Sequence, residues 1–195
     1  MKTCDKQPCA LPKCLTYNTH YTMKEIYLAG GCFWGTEHYI KQIEGVTQTE
    51  VGYANGTTPD PTYEEVYTDR TGYAETVRIA YDEKQVSLAT ILELYFYSID
   101  PTSLNRQGGD CGTRYRTGIY YTCYNDLPAI EAIYNKVAAQ HTEPLAVEVE
   151  PLRNFYPAEE YHQDYLDKNP QGYCHIPRAL IEKVREMSQL ATANQ

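Results

Sequence analysis

Hydrophobic and polar residues follow two different periods along the chain, and the period changes repeatedly after residue 22. Alternation with a period of two, or a short apolar run, predicts strands at residues 26–29, 46–53, 74–81, 119–122 and 145–150. Apolar residues three and four apart predict helices at residues 36–42, 87–97, 125–140, 159–166 and 178–190. This succession predicts an α+β two-layer sandwich, in which helices pack on a mixed sheet with a ferredoxin-like core.

The residues on either side of this region differ from it. Residues 1–23 are polar and show no periodicity, so we expect a flexible N-terminal tail. Residues 24–175 are expected to form one folded domain, followed by a helical C-terminal extension over residues 176–195. At 195 residues the chain is long enough to bury a core without disulfides or structural metals.

Charge and hydropathy exclude several classes of partner. The formal net charge of −9 argues against binding to nucleic acid or to an anionic membrane. No apolar stretch approaches the length of a membrane span, and the N-terminus lacks the apolar core of a signal peptide. We therefore expect a cytoplasmic protein, and a monomer.

Seven cysteines are many for a cytoplasmic chain of this length. Cys4, Cys9 and Cys14 lie in the predicted tail, five residues apart. No two cysteines have the C-x-x-C spacing of a zinc or thioredoxin-type site, so we expect no bound metal. A redox or metal sensor built on the three early cysteines nevertheless stays open as an alternative.

The segment Gly31-Cys32-Phe33-Trp34-Gly35 is the strongest candidate for a reactive site. It falls between a predicted strand and a predicted helix, so its cysteine should lie at a helix N-terminus, where backbone N–H groups favour a thiolate. The two aromatic residues could form the wall of a pocket beside the sulfur. The alternative is a cysteine packed in the core.

Strand parity makes Glu75 the second candidate. Glu75 shares a strand face with Val77, Ile79 and Tyr81, so its carboxyl is predicted to point toward apolar surroundings. Burial would raise its pKa and keep it protonated near neutrality, which suits a general acid. If the strand begins one residue later, Glu75 is solvated instead.

Two long loops offer further polar groups. Residues 105–116 form a Gly-rich polar loop, and a loop of this length inside a compact domain is usually functional. Asp110 and Tyr115 could contact a small ligand from this loop, and Tyr63 offers another phenol from the loop before the third strand.

These segments together resemble the peptide methionine sulfoxide reductase A family. The resemblance runs from about residue 24 to residue 175 and rests on GCFWG at 31–35, EVGYANG at 50–56, PTYEEV at 61–66, GYAE at 72–75, DPT at 100–102, NRQGGD at 105–110, YRTGIYY at 115–121, FYPAEEYHQDYL at 155–166 and KNPQGYC at 168–174.

The resemblance implies a role for each candidate. Cys32 resembles the nucleophile, Phe33 and Trp34 the walls around the substrate's S-methyl group, and Glu75 the acid that protonates the sulfoxide oxygen. Tyr63 and Tyr115 resemble its hydrogen-bonding companions, Asp110 resembles the residue that orients the substrate, and Cys174 resembles the resolving cysteine.

The reaction that the resemblance implies is reduction of the S epimer of methionine sulfoxide, free or in peptides. Attack by the Cys32 thiolate releases methionine and leaves a sulfenic acid on Cys32, which Cys174 converts to a disulfide. Thioredoxin, or dithiothreitol in vitro, would reduce this disulfide, and no cofactor is needed.

Three departures and one rival chemistry stay open. Arg114 stands where the family usually has Gln, Tyr73 stands where it usually has His, and no cysteine follows Cys174. Cys111, next to Asp110, is therefore a rival resolving cysteine. The alternative function is a cysteine hydrolase or acyltransferase that pairs Cys32 with His162 or His175, which requires a histidine within hydrogen-bond reach of the sulfur.

Overall fold

The computed structural model describes residues 23–192, and the side chains as far as residue 190. The predicted tail and its three cysteines lie outside the described residues, apart from Met23, which begins the first strand. The strands are β1 Met23–Gly30, β2 Val46–Ala54, β3 Ala74–Asp82, β4 Arg106–Gln107, β5 Asp110–Cys111, β6 Thr117–Tyr121, β7 Glu148–Pro151 and β8 Phe155–Pro157. The helices are α1 Phe33–Ile40, α2 Tyr63–Tyr67, α3 Leu88–Ser98, α4 Leu127–Ala138, α5 Tyr165–Lys168 and α6 Arg178–Thr192.

Six strands form one mixed sheet in the order β7-β6-β1-β3-β2-β8. The four inner strands pair antiparallel with one another, and they belong to the two strand–helix–strand units of a ferredoxin-like core. β7 adds to β6 in parallel, which makes the sheet mixed, and β8 adds antiparallel to the other edge. The predicted fold class is confirmed.

The main core lies between the sheet and one layer of helices. One face of the inner strands, which includes Leu28 and Val77, packs with residues of α1 and α3, and α6 adds the fully buried Val184. The other face carries a smaller cluster around Tyr27 and Tyr120, covered by Leu152 and Phe155. Glu75 lies in register with Tyr53, on the strand face that bears the main core.

Most predicted elements differ from the observed ones by a few residues at their ends, and two differ for a reason that the structure shows. The strand predicted at 145–150 begins only at Glu148, because the N–H of Ala146 donates to the carbonyl of Pro101 (2.7 Å) instead of joining the sheet. The helix predicted at 159–166 is wrong over most of its length: residues 160–164 form turns, and α5 begins at Tyr165. Asp164 takes a left-handed φ of 54°, which no α-helix accommodates.

Several short elements were not predicted. α2 carries a complete capping box between Thr62 and Glu65, a signal readable in the sequence. The predicted loop at residues 105–116 contains the β4–β5 hairpin, and β8 pairs with the end of β2. The hairpin packs on Gly31, just before α1, and α2 carries Tyr63 to the same end of that helix.

Candidate active site

Cys32 is the N-cap residue of α1, as the sequence predicted. Gly31 before it has a φ of 87°, which lets the chain turn from β1 into the helix. A Cβ atom on Gly31 would also lie 2.7 Å from the Cβ of Gln107, so the turn is closed against the β4–β5 hairpin. The Cys32 residue is only 6% exposed.

The expected thiolate is not the resting form of Cys32. Burial raises the pKa of the Cys32 thiol well above its usual value, and the negative charge of Glu75 acts in the same direction. Hydrogen bonds from the backbone N–H groups of Trp34 and Gly35 act to lower this pKa, as the helix N-terminus predicts, but they are outweighed. Cys32 is therefore a protonated thiol at neutral pH.

Glu75 is buried, as strand parity predicted. It is 1% exposed, and its Oε2 accepts a hydrogen bond from the N–H of Phe33 at 3.0 Å. Burial raises the pKa of Glu75 to about 8, although the Phe33 N–H and the positive charge of Arg114 act to lower it. The carboxyl is therefore protonated at neutral pH and able to donate a proton beside Cys32.

Tyr63 and Tyr115 bring two phenols to the same place. Burial, followed by the charges of Glu75 and Cys32, raises the pKa of Tyr63 to about 12. Burial and the charge of Glu75 also raise the pKa of Tyr115 above its usual value. Both hydroxyls stay protonated, so both can donate hydrogen bonds to an incoming oxygen.

Arg114 is a part of the site that sequence reasoning treated only as a departure. Its guanidinium carbon lies 4.4 Å from the centroid of the Tyr115 ring and 4.2 Å from that of Tyr67. The Asp69 carboxylate fixes Arg114 in place: it accepts hydrogen bonds from Nη1 at 2.7 Å and from the backbone N–H at 3.0 Å. Arg114 thus places a cation next to Tyr115, a predicted site residue, and next to Tyr67, which the sequence did not single out.

The aromatic residues after Cys32 have different environments. Phe33 is 1% exposed and packs against the rings of Tyr53 and His162. Trp34 is only partly buried, and Tyr165 stacks on its ring with centroids 3.7 Å apart. The indole N–H donates to Nδ1 of His162 at 3.0 Å, so His162 holds Trp34 in position.

Glu159 is a second residue that supports the site and that the sequence did not indicate. Its carboxylate accepts from the hydroxyl of Tyr53 and from the backbone N–H of Tyr63, both at 2.8 Å. It therefore anchors the start of α2 and with it the Tyr63 phenol. Only the spatial contact between distant segments makes Glu159 relevant, and no local sequence signal marks it.

The segment that carries Cys174 packs on the first turn of α1. A Cβ atom added to Gly35 would lie 3.1 Å from Cys174 Sγ and 2.8 Å from His175 Nδ1. Asp110 on β5 accepts a hydrogen bond from the hydroxyl of Tyr173 at 3.1 Å, which ties the hairpin to this segment. Cys174 is half-buried, whereas Cys111 is exposed, and both thiols are free.

The hydrolase alternative lacks its required contact. His162 Nδ1 accepts from Trp34, and His175 Nε2 lies 2.9 Å from the carbonyl of Gly30. No hydrogen bond joins Cys32 to a histidine among the side chains that the structure describes. Between residues 23 and 190, no cluster of three or more His, Cys, Asp or Glu side chains is arranged to hold a metal ion.

The fold and the site define a thiol-dependent oxidoreductase, in which a buried cysteine faces a protonated carboxyl and two phenols. The family model of peptide methionine sulfoxide reductase matches residues 24–193. The chain is also 57% identical over 161 residues to the peptide methionine sulfoxide reductase MsrA of Clostridium acetobutylicum, a match that covers 83% of this chain and 99% of the relative. The chain therefore belongs to the peptide methionine sulfoxide reductase family.

Solved structures agree with this assignment. The reduced form of Mxr1 from Saccharomyces cerevisiae superposes with a TM-score of 0.75 at 39% identity, covering 83% of this chain and 93% of the yeast chain. Mxr1 in complex with Trx2 matches with a TM-score of 0.54 at 26% identity, over 78% of this chain and 91% of that one. No helix in the described part of the chain is long and apolar enough to cross a bilayer.

Proposed function

We propose that the protein reduces the S epimer of methionine sulfoxide, free or in peptides, with Cys32 as the nucleophile and Glu75 as the acid. One observation carries this proposal: a fully buried carboxyl, with a pKa of about 8, lies beside a buried cysteine at a helix N-terminus. A sulfoxide sulfur becomes electrophilic only when its oxygen is protonated or strongly hydrogen-bonded. A carboxyl that keeps its proton at neutral pH supplies that proton.

The first step transfers the sulfoxide oxygen to Cys32. Glu75, assisted by the hydroxyls of Tyr63 and Tyr115, donates its proton to the oxygen, and the Cys32 sulfur attacks the sulfoxide sulfur as the thiol proton passes to the Glu75 carboxylate. The hydroxyl then moves to the Cys32 sulfur as the new bond between the two sulfur atoms breaks, and methionine leaves. The sulfoxide is reduced to methionine, and the Cys32 thiol is oxidised by the same two electrons to a sulfenic acid. The N–H groups of Trp34 and Gly35, which already bond to the sulfur, stabilise negative charge on it during attack.

Phe33 and Trp34 are proposed to enclose the S-methyl group, and Asp110 to orient the substrate. Aromatic faces favour the partial positive charge that develops on the substrate sulfur. The ring of Trp34 is held by Tyr165 and by His162, so its position is fixed before substrate arrives. Asp110 sits on the hairpin that packs over the Cys32 turn.

Cys174 is proposed as the resolving cysteine, with thioredoxin as the reductant of the disulfide. Its packing on Gly35, one helical turn from Cys32, supports this choice over the exposed Cys111. The complex of yeast Mxr1 with Trx2 supports thioredoxin as the partner. The thiols of the enzyme and of its reductant supply both electrons of each turnover, so we propose that the enzyme needs no cofactor. We also propose that it acts as a monomer in the cytoplasm.

The test is turnover of the two methionine sulfoxide epimers, with dithiothreitol as reductant and methionine as the readout. Cys32→Ser should abolish methionine formation and keep the circular dichroism of the wild type. Glu75→Gln should lower the rate by roughly 10²-fold or more, because an amide cannot deliver a proton. Activity of Cys32→Ser above about a hundredth of the wild type would refute the assignment.

A further inference from the structure

Cys174 and His175 both reach one point on α1. A Cβ on Gly35 would lie 3.1 Å from Cys174 Sγ, 2.8 Å from His175 Nδ1 and 3.0 Å from His175 Cε1. The thiol and the imidazole therefore share the space left by the missing side chain of Gly35. A Cβ on Gly108 would lie 3.4 Å from the Cβ of His175, so the hairpin turn packs against the same residue.

The hydrogen bond of His175 defines which ring nitrogen carries a proton. Nε2 lies 2.9 Å from the carbonyl oxygen of Gly30, and a carbonyl can only accept, so Nε2 is the donor. Burial lowers the pKa of His175, which leaves the ring neutral at neutral pH with a lone pair on Nδ1. This Nδ1 is buried and has no hydrogen-bond partner among the described residues.

Cys174 lacks what an attacking thiol needs. Burial raises the pKa of its thiol, and its Sγ donates to the carbonyl of Ile176 at 3.3 Å, so the sulfur is protonated. The thiolate is the nucleophile in disulfide formation, and a protonated thiol attacks poorly. A base next to Cys174 would remove this obstacle.

We propose that His175 Nδ1 accepts the proton of the Cys174 thiol when Cys174 attacks the sulfenic acid on Cys32. The S–S bond forms as the S–O bond of the sulfenic acid breaks. The leaving hydroxide takes the proton from Nδ1 and departs as water, so His175 ends neutral. Cys174 is oxidised and Cys32 is reduced by the same electron pair. This inference rests on the proposed function in one respect, namely Cys174 as the resolving cysteine.

The charged groups that act on this pair come from two other elements. Asp110 on β5 acts to raise the pKa of both His175 and Cys174, and Arg178 at the start of α6 acts to lower that of Cys174. Tyr173 bonds to Asp110 and stays protonated. Asp110 thus favours the protonated imidazole that forms during the step, and Arg178 favours the thiolate.

The experiment compares His175→Gln with the wild type in a single turnover. The Gln amide can still donate to the Gly30 carbonyl, but it takes no proton at neutral pH. His141→Gln, at an exposed histidine after α4, is the matched control. After mixing with one equivalent of methionine sulfoxide, released methionine and lost thiols are measured between pH 6.5 and 9.

We expect disulfide formation in His175→Gln to slow relative to methionine release by roughly 10² at pH 7. Its rate should then rise about tenfold per pH unit, because it follows the Cys174 thiolate, while the wild type stays flat over this range. A wild-type ratio of the two rates, or a slowing equal at every pH, would overturn the proposal. If His175→Gln fails to fold, His175→Asn takes its place in the same experiment. In whichever variant folds, free imidazole should restore part of the rate of disulfide formation.

Cys174→Ser separates this inference from the proposed function. If Cys174→Ser still forms an intramolecular disulfide at the wild-type rate, the resolving role of Cys174 is wrong and the inference fails with it. If Cys174→Ser stops at a sulfenic acid that dimedone traps, while His175→Gln closes its disulfide normally, only the inference fails.

Discussion

Arg114 shows how one residue can tune three titrating groups. The residue is 7% exposed, and its guanidinium lies over the rings of Tyr67 and Tyr115. Its charge acts to lower the pKa of Glu75 and of both site tyrosines. A buried cation supported by Asp69 is an efficient way to do this, because the low dielectric strengthens its charge interactions. Arg114 is therefore a positioning residue for the acid and the phenols.

Arg114→Gln should raise the pKa of Glu75 above about 8, since a positive charge that favours the carboxylate is lost. The measurement is a ¹³C NMR titration of the Glu75 carboxyl in a Cys32→Ser background, which removes the coupled thiol. Arg116→Gln, which loses an ion pair to Glu148 instead, is the control. A Glu75 pKa that is unchanged or lower in Arg114→Gln would contradict this role.

The sequence correctly predicted the position of those candidate site residues that carry a local signal. Cys32 follows from glycines at a strand–helix junction, and Glu75 from parity on β3. The roles of Arg114 and Glu159 depend on which distant rings and N–H groups meet them, so the sequence alone could not supply them. The prediction of a thiolate at Cys32 was wrong for the resting enzyme, because burial raises the pKa of the thiol more than the N–H groups of the helix N-terminus lower it.

At the scale of elements, α1 acts as a frame to which other segments attach. Glu37 on its buried face accepts from the N–H of Asp164 and from the hydroxyl of Thr49, both at 3.0 Å. The same helix receives the Cys174 segment at Gly35. The contact with Glu37 holds Asp164 in its left-handed conformation, which is why the helix predicted at residues 159–166 does not form there.

Gly35→Ala tests whether the packing of the Cys174 segment on α1 is needed for disulfide formation. The added methyl group would contact His175 Nδ1 at 2.8 Å and Cys174 Sγ at 3.1 Å, so the segment must move away from α1. We expect disulfide formation to slow about tenfold or more relative to methionine release in a single turnover, since the thiol no longer reaches its position. In Gly109→Ala, where the nearest atom is 3.5 Å away, the ratio should not change. Equal ratios in both variants would show that the contact is dispensable.

Periodicity predicted the long elements and missed the short ones for a physical reason. The inner strands and the helices α1, α3, α4 and α6 bury an apolar face, and that face determines their sequence pattern. β8 is three residues long and β4 and β5 are two residues long each, and only the hydrogen bonds to a partner strand define them. No local pattern of apolar residues can encode a pairing of that length.

At the scale of the whole molecule, the proposed acid Glu75 also affects stability. Its pKa is about 8 in the folded protein and 4.5 in the unfolded chain. At a pH between these two values, the folded protein therefore binds one more proton than the unfolded chain does. The contribution of Glu75 to stability is fully present below pH 4.5 and is lost as the pH rises through about 8. The titration of Glu75 therefore lowers the stability of the protein as the pH rises from about 4.5 to about 8.

Glu75→Gln should consequently be more stable than the wild type, and the gain should grow from about pH 4.5 to pH 8. One pH unit between the two pKa values corresponds to ~1.4 kcal/mol, so the gain is on the order of a few kcal/mol at pH 8. Urea unfolding at pH 5, 6.5 and 8 measures it. A gain that is constant with pH would mean that Glu75 does not titrate as proposed.

The enzyme should work without residues 1–22. The family model begins at residue 24, and β1 begins at Met23. A chain beginning at Met23 should keep dithiothreitol-driven activity within about twofold of the full chain. Zinc content and turnover of the two chains, measured side by side, also test the sensor alternative for Cys4, Cys9 and Cys14. Collapse of activity on truncation would show that these cysteines take part.

The burial of Cys32 also affects how readily this cysteine reacts with the oxidants that form the enzyme's substrate. Peroxides and alkylating agents react with thiolates, and Cys32 is enclosed and protonated at rest, whereas Cys111 is exposed. Iodoacetamide should therefore label Cys111 well before Cys32, in an order that mass spectrometry reads directly. Among the cysteines that the structure describes, the proposed nucleophile is thus the one least exposed to the oxidants that create its substrate.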